Sequence, residues 1–250
     1  MTYSEKYAVI GGTGLSKLPD FVLERRESIA TPYGSPSADL TFGTLFGQQI
    51  VFLARHGDHH TIPPHRINYR ANIQALKQAG VTHIIAVAAV GGIHELAVPA
   101  AIVIPDQLID YSYGRDHTFS DGGQDRVTHI DFTAPYTPEL RLALLGAAKS
   151  ARLNVIDGGV YGSTQGPRLE TPAEIARMAR DGCTLVGMTG MPEASLAREA
   201  GIAYASVAVV ANWAAGITDT EITMPEIYAN LEQGMADVGL LLSTFFSRGE

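Results

Sequence analysis

Apolar residues along the chain fall into short unbroken runs that alternate with stretches of helical spacing. Tyr7–Ile10 is an apolar run ending on Gly11-Gly12-Thr13-Gly14, which predicts a strand leaving through a tight turn. Thr41–Phe46 and Gln49–Leu53 flank Gly47-Gln48 and predict a hairpin. Asn68–Ala79 has the apolar spacing of a helix and stops at Gly80, while His83–Val90 is an Ile/Val/Ala run that reads as a buried central strand ending at Gly91-Gly92. Ile102–Ile104 and Gln107–Asp110 suggest a further strand, Pro138–Ala151 a helix and Asn154–Ser163 a strand region. Thr171 before Pro172, with Glu174 three residues on, predicts a capped helix running towards Asp181. Thr184–Met188 and Ile202–Ala211 read as strands, and Met191–Ala200 and Pro225 to about Phe246 as helices. Between them, Ser112–Arg126 is polar and Gly-rich and reads as a long loop, a kind that often serves function. The alternation predicts a layered α/β domain with a largely parallel or mixed sheet.

Composition narrows the class. Hydrophobic residues are 46% and charged residues 18% of the 250, enough apolar material for a substantial core. A net charge of −8 disfavours a nucleic-acid partner, and a small anion would need a local positive site. Cys183 is the single cysteine, so no intrachain disulfide forms, which fits a reducing cytoplasm. The N-terminus lacks the pattern of a secretory leader, and no run approaches the ~20 apolar residues of a bilayer span. The expectation is a soluble cytoplasmic protein without a membrane partner.

Several segments at strand ends carry candidate chemistry, which is where ligands gather in open α/β sheets. Gly11-Gly12-Thr13-Gly14 can turn backbone N–H groups towards a phosphate, or can simply be a tight strand exit. It is a poor dinucleotide fingerprint, because Lys17 stands at the third glycine position and Pro19 interrupts any helix. Arg55 and His56 follow a strand and offer donors suited to phosphate oxygens, although an exposed arginine there would be unremarkable. His56, His59, His60 and His65 cluster, but with no HExxH and only Asp58 as a nearby carboxylate the metal reading is thin. Met188 to Glu193 reads on its own as core, and Gln165-Gly166-Pro167-Arg168 as a turn. Asn212, ending the second buried strand, either ties down a loop or presents an amide to the edge of a base.

Taken together, IGGTGL (10–15), LARHG (53–57), INYRANIQALK (67–77), QGPRLET (165–171) and GMTGMPEASLAREAGIAYAS (187–206) resemble the trimeric purine nucleoside phosphorylase and methylthioadenosine phosphorylase family, on its methylthio-nucleoside branch. The resemblance implies one three-layer αβα domain over 1–250 with a central mixed sheet, and a homotrimer. It implies a purine nucleoside as partner, inorganic phosphate as co-substrate, and neither metal nor organic cofactor. Thr13, Arg55, His56, Thr189 and the Ala89 backbone match the family's phosphate positions. Met188 matches the residue beneath the ribose, and Val90, Gly91, Leu169 and Gly187 match positions lining the base. Glu193 receives no role. Leu169 stands where the family often has Phe, so stacking on the base is weakened.

Adenine-specific members carry an Asp-Tyr-Asp pattern where this chain reads Asn212-Trp213-Ala214. One asparagine amide can donate to O6 and accept from a protonated N7 of a 6-oxopurine, and Ala214 offers nothing to an adenine. Met224 and Ile227 stand where relatives acting on ordinary nucleosides place a histidine, and form an apolar wall suited to a methylthio group. His129 resembles a residue that reaches a neighbouring subunit's 5′ pocket. The expected reaction is therefore phosphorolysis of 5′-methylthioinosine to hypoxanthine and 5-methylthioribose 1-phosphate, with Asn212 and His56 as the catalytic residues. The alternatives are phosphorolysis of inosine or guanosine, phosphorolysis of methylthioadenosine, hydrolysis by water, an NAD-binding oxidoreductase, and a non-catalytic purine-binding module.

Overall fold

The computed structural model describes residues 5–12, 21–120, 122 and 127–247. At its centre is β5 (His83–Gly92), the long Ile/Val/Ala run. Along its whole length lies β11 (Ala203–Trp213), parallel and in register from Ala203 opposite His83 to Val210 opposite Val90. On the other side the lower half of β5 pairs in parallel with β1 (Tyr7–Gly11), while Gly91 and Gly92 pair antiparallel with β10 (Leu185–Gly187). The sheet therefore divides at the upper end of β5. One wing continues from β1 through β4 (Gln48–Ala54) and β3 (Leu40–Leu45) to β2 (Phe21–Glu27). The other passes from β10 through β9 (Val160–Ser163) to β7 (Gln107–Asp110). Beyond β11 lie β6 (Ile102–Ile104) and β8 (Val155–Asp157). The result is the expected α/β fold with a mixed sheet.

Strand alternation sorts the core into two faces. Ala8, Ile10, Ile84, Ala86 and Tyr204 point to one side, where they meet Ile73 and Leu76 of α1 (Tyr69–Gln78) and Leu196 of α4 (Gly190–Glu199). Val9, Ile85, Val87, Val207 and Val209 point to the other, against Leu140 and Leu144 of α2 (Pro138–Ser150) and Val238 and Leu242 of α5 (Met224–Phe246). Each of the Val, Leu and Ile side chains among these contributes on the order of 1.5–3 kcal/mol by leaving water. Helices thus cover both faces of the sheet. Among the described residues no helix is long and apolar enough to cross a membrane.

Local structure departs from the expectations in a few places. The edge strand β2 is exposed along almost its whole length, so it carries no apolar face to reveal it. Asn154–Ser163 is two strands, because Gly158 and Gly159 adopt φ of 89° and 113° and break the run. The helix expected at Met191 begins one residue earlier and is interrupted by the extended backbone of Met191 itself. Thr171 and Glu174 form the reciprocal capping box at the start of α3 (Pro172–Arg180). The described part of 112–126 has no regular element, as its composition implies.

Candidate active site

The upper ends of β5 and β11 open onto a cavity of about 610 Å³, within the few-hundred-Å³ range of small-molecule sites. Arg55 enters it directly from β4. Its backbone N–H donates to Gly11 O at 3.0 Å, which sets the exits of β4 and β1 side by side, and Gly12 lines the cavity. Thr13 lies outside the described residues. The Arg55 side chain is buried and fully oriented: Nε and Nη2 donate to the two carboxylate oxygens of Glu193, both at 2.7 Å, and Nη1 donates to Val87 O at 2.9 Å. Burial pushes the guanidinium towards its neutral form, but the Glu193 charge and hydrogen bonds outweigh this and hold it above its ordinary pKa. Glu193 is itself completely buried and also accepts from Tyr204 Oη at 2.9 Å. Burial keeps that hydroxyl protonated, as does the adjacent carboxylate.

His56 is held by a loop that folds back on it. Its backbone carbonyl accepts from Ile62 N at 3.1 Å, and its Nδ1 lies 2.8 Å from Ile62 O. A carbonyl only accepts, so Nδ1 carries the proton and Nε2 of the neutral ring keeps its lone pair. Burial, reinforced by the Arg55 charge, lowers the imidazole from 6.5 to about 4. Thr189 stands at the N-terminus of α4 without capping it and lines the cavity beside the Tyr161 hydroxyl. Ala89 is the single exposed residue of β5, which is buried from Ile84 onwards at every other position.

Asn212 reaches the cavity through an irregularity. Val210 pairs with Val90 and Asn212 with Gly91, so Ala211 is a bulged extra residue, and both Ala211 and Asn212 line the space. Asn212 Nδ2 donates to Trp213 O at 2.7 Å. Its Oδ1 and second N–H make no hydrogen bond among the described residues. Val90, Gly91, Gly187 and Ala214 surround this end, with Leu169 and Met188 along the 164–190 side. Gly187 has to be glycine, since a Cβ would strike the Tyr161 hydroxyl. Met224 and Ile227 come from the first turn of α5, joined by Ile222 before it and Leu231 after it. Every position that the resemblance assigns to the phosphate, ribose, base or 5′ end therefore borders one cavity, apart from Thr13, which lies outside the described residues, and His129. His129 is exposed and lies away from the cavity of its own chain.

Two carboxylates were missed. Glu193 was passed over because it follows the pocket motif, yet it orients Arg55. The available signal was a carboxylate between Pro192 and Ala194 at a buried phase of its helix. Glu170 also lines the cavity; it accepts from Thr164 Oγ1 at 2.7 Å. No group of three or more His, Cys, Asp or Glu among the described residues is arranged to hold a metal.

A buried, pre-aimed arginine beside a neutral imidazole has the chemistry to hold an anion, and the amide across the cavity suits a flat ligand with a polar edge. A model of the phosphorylase superfamily matches residues 6–247, and the chain belongs to that superfamily. It is 54% identical over 226 residues to a probable S-methyl-5′-thioinosine phosphorylase of Xanthomonas campestris pv. campestris, covering 90% of each chain. It is 45% identical over 242 residues to a probable 6-oxopurine nucleoside phosphorylase of Thermococcus kodakarensis, covering 95% of this chain and 90% of the relative. Among solved structures, a methylthioadenosine phosphorylase from an antarctic soil metagenomic library superposes with a TM-score of 0.91 at 35% identity, over 98% of this chain and 86% of that one. The methylthioadenosine phosphorylase of Schistosoma mansoni in complex with adenine gives 0.92 at 30%, over 98% and 92%.

Proposed function

We propose that this chain cleaves 5′-methylthioinosine with phosphate, releasing hypoxanthine and 5-methylthioribose 1-phosphate. One observation carries the reading: a single cavity joins the Arg55–His56 corner, the Asn212–Ala214 edge and an apolar wall of Ile222, Met224, Ile227 and Leu231. Of the five guanidinium N–H groups, three are used on Glu193 and Val87, which leaves two for phosphate oxygens. His56 Nε2 is an acceptor and suits the P–O–H of hydrogenphosphate, with Thr13, Thr189 and the Ala89 backbone completing the cradle. Because Glu193 already balances Arg55, the phosphate keeps its negative charge, which stabilises the cationic sugar formed as the C1′–N9 bond breaks. A phosphate oxygen then bonds to C1′, and the proton brought by hydrogenphosphate ends on the base.

The base end supports a 6-oxopurine. Asn212 offers an acceptor to N7–H and a donor to O6. The Glu170 oxygen not bonded to Thr164 can accept from N1–H, whereas adenine presents a lone pair at N1 and would be repelled. The apolar wall favours methylthio over hydroxyl at the 5′ position by roughly the burial of one to two methylene equivalents, about 1–2 kcal/mol. We further infer a homotrimer, in which the exposed His129 reaches a neighbour's 5′ end; sedimentation would read the mass directly. The deciding assay is base release from methylthioinosine, methylthioadenosine and inosine, each with and without phosphate. Phosphate-dependent release from methylthioinosine at tenfold or more over the other two is expected. Preference for methylthioadenosine would overturn the base-edge argument, preference for inosine the 5′ argument, and turnover without phosphate the phosphorolytic reading.

A further inference from the structure

The inner stripe of α5 runs Ile227, Leu231, Gly234, Met235, Val238, Leu241, Leu242, and is interrupted by one polar residue, Asn230. A polar side chain in such a stripe is unfavourable unless its hydrogen bonds are met. Asn230 Nδ2 donates to Ala211 O at 2.8 Å. Ala211 is the bulged residue of β11, whose extra presence sets Asn212 opposite Gly91. One turn further along the helix, Gly234 closes directly on Val209, where a Cβ would collide with the valine side chain. Four residues of helix and two of strand both advance about 6 Å, so the two contacts share one register. On the other side of Asn230, Ile227 and Met224 form the apolar wall.

We propose that Asn230 is the positioning residue that sets base selectivity: by holding the carbonyl of the bulge it fixes the Asn212 amide and ties the apolar wall of α5 to the same strand end. Asn230 touches no reacting atom and acts through Ala211 and Asn212. This rests on the function proposed above, in that Asn212 is taken to meet the base.

Asn230→Asp and Asn230→Ala test it. Aspartate keeps the shape but cannot donate to the Ala211 carbonyl; alanine removes the group. Isothermal titration calorimetry reads base binding without any turnover. Titrations of wild type and both variants with hypoxanthine and with adenine are compared, alongside KM for nucleoside and for phosphate. Both variants are expected to lose about tenfold in hypoxanthine affinity, to narrow the hypoxanthine-over-adenine ratio, and to raise nucleoside KM while leaving phosphate KM unchanged. Wild-type affinity ratios in Asn230→Asp would overturn the proposal, as would equal losses for base and phosphate, which would mark a general structural role. If wild type prefers adenine, the 6-oxopurine reading fails while a tenfold adenine loss in both variants still upholds Asn230. If wild type binds neither base, the base site and this proposal fall together.

Discussion

At the scale of single residues, the site depends on an ion pair of which only one member, Arg55, stands in a pocket motif. Arg55 and Glu193 are separated by 138 positions in the chain and are both buried. Their bidentate geometry aims the two remaining guanidinium N–H groups, and Val87 O and the Tyr204 hydroxyl complete the set. Removing one member of a buried pair leaves an uncompensated charge and typically costs about 3–5 kcal/mol. Glu193→Gln keeps one acceptor for Arg55 and loses the charge, so a loss near the lower end, about 3 kcal/mol, is expected in chemical denaturation without phosphate. Phosphate should restore more stability to this variant than to wild type, because the freed Arg55 charge faces the cavity. The kcat should nevertheless fall by tenfold or more, since the arginine is no longer held in one orientation. Equal phosphate stabilisation of the two proteins would show that Arg55 does not face the bound anion.

At the scale of elements, the pattern of apolar runs was enough to locate the interior strands and the helices, because each hides one face or both. Hairpin β3–β4, the α1 stop at Gly80 and the Thr171 capping box were all visible in local residue chemistry. What escaped was set by contacts across the chain. The edge strand β2 buries too little to show a period, the Ala211 bulge leaves no local signature, and Glu193 gains its meaning from Arg55. Arg115 is the fullest case. Set in the irregular 112–120 segment, it donates from Nη1 to Met188 O at 2.9 Å and from Nη2 to Thr164 O and Gln165 O at 3.0 and 2.9 Å, with Nε to Gln165 Oε1 at 3.1 Å. One planar group thus pins together the two segments that carry Leu169 and Met188 to the cavity, and a lysine cannot span both. Arg115→Lys should raise nucleoside KM about tenfold with a smaller change in phosphate KM. Arg141 makes a similar set of bonds to Ile104 O, Pro105 O and Asp157, but on the α2 side, away from the cavity. Arg141→Lys should lower the melting temperature and leave both KM values alone. Matching kinetic profiles in the two variants would reduce Arg115 to a purely structural pin.

At the scale of the whole molecule, the division of the sheet at Gly91-Gly92 opens the cavity, and the same packing that closes its floor also controls how the protein answers to acid. His56 sits where β4 ends and the sheet stops being covered, buried enough to resist protonation. Its folded pKa of about 4 lies below the 6.5 of the unfolded chain. Between those two values the unfolded state binds the extra proton, so stability rises with pH across that window and is lost as pH falls from about 6.5 through 4. The full separation corresponds to about 3 kcal/mol. Other groups shift as well, including Glu174, lowered to about 2 by Arg168 and the Thr171 backbone, but that loss lies at lower pH. Comparing wild type with His56→Gln, whose amide can still donate to Ile62 O, isolates the imidazole. Denaturation at pH 7 and pH 4.5 should show wild type losing about 2 kcal/mol more than the variant, most of the full separation. Phosphate bound as proposed would place negative charge beside Nε2 and raise the folded pKa, so saturating phosphate should shrink that difference. Parallel losses in the two proteins, with or without phosphate, would mean that His56 is no more buried than an ordinary surface histidine, and the anion corner would then rest on Arg55 and the hydroxyls alone.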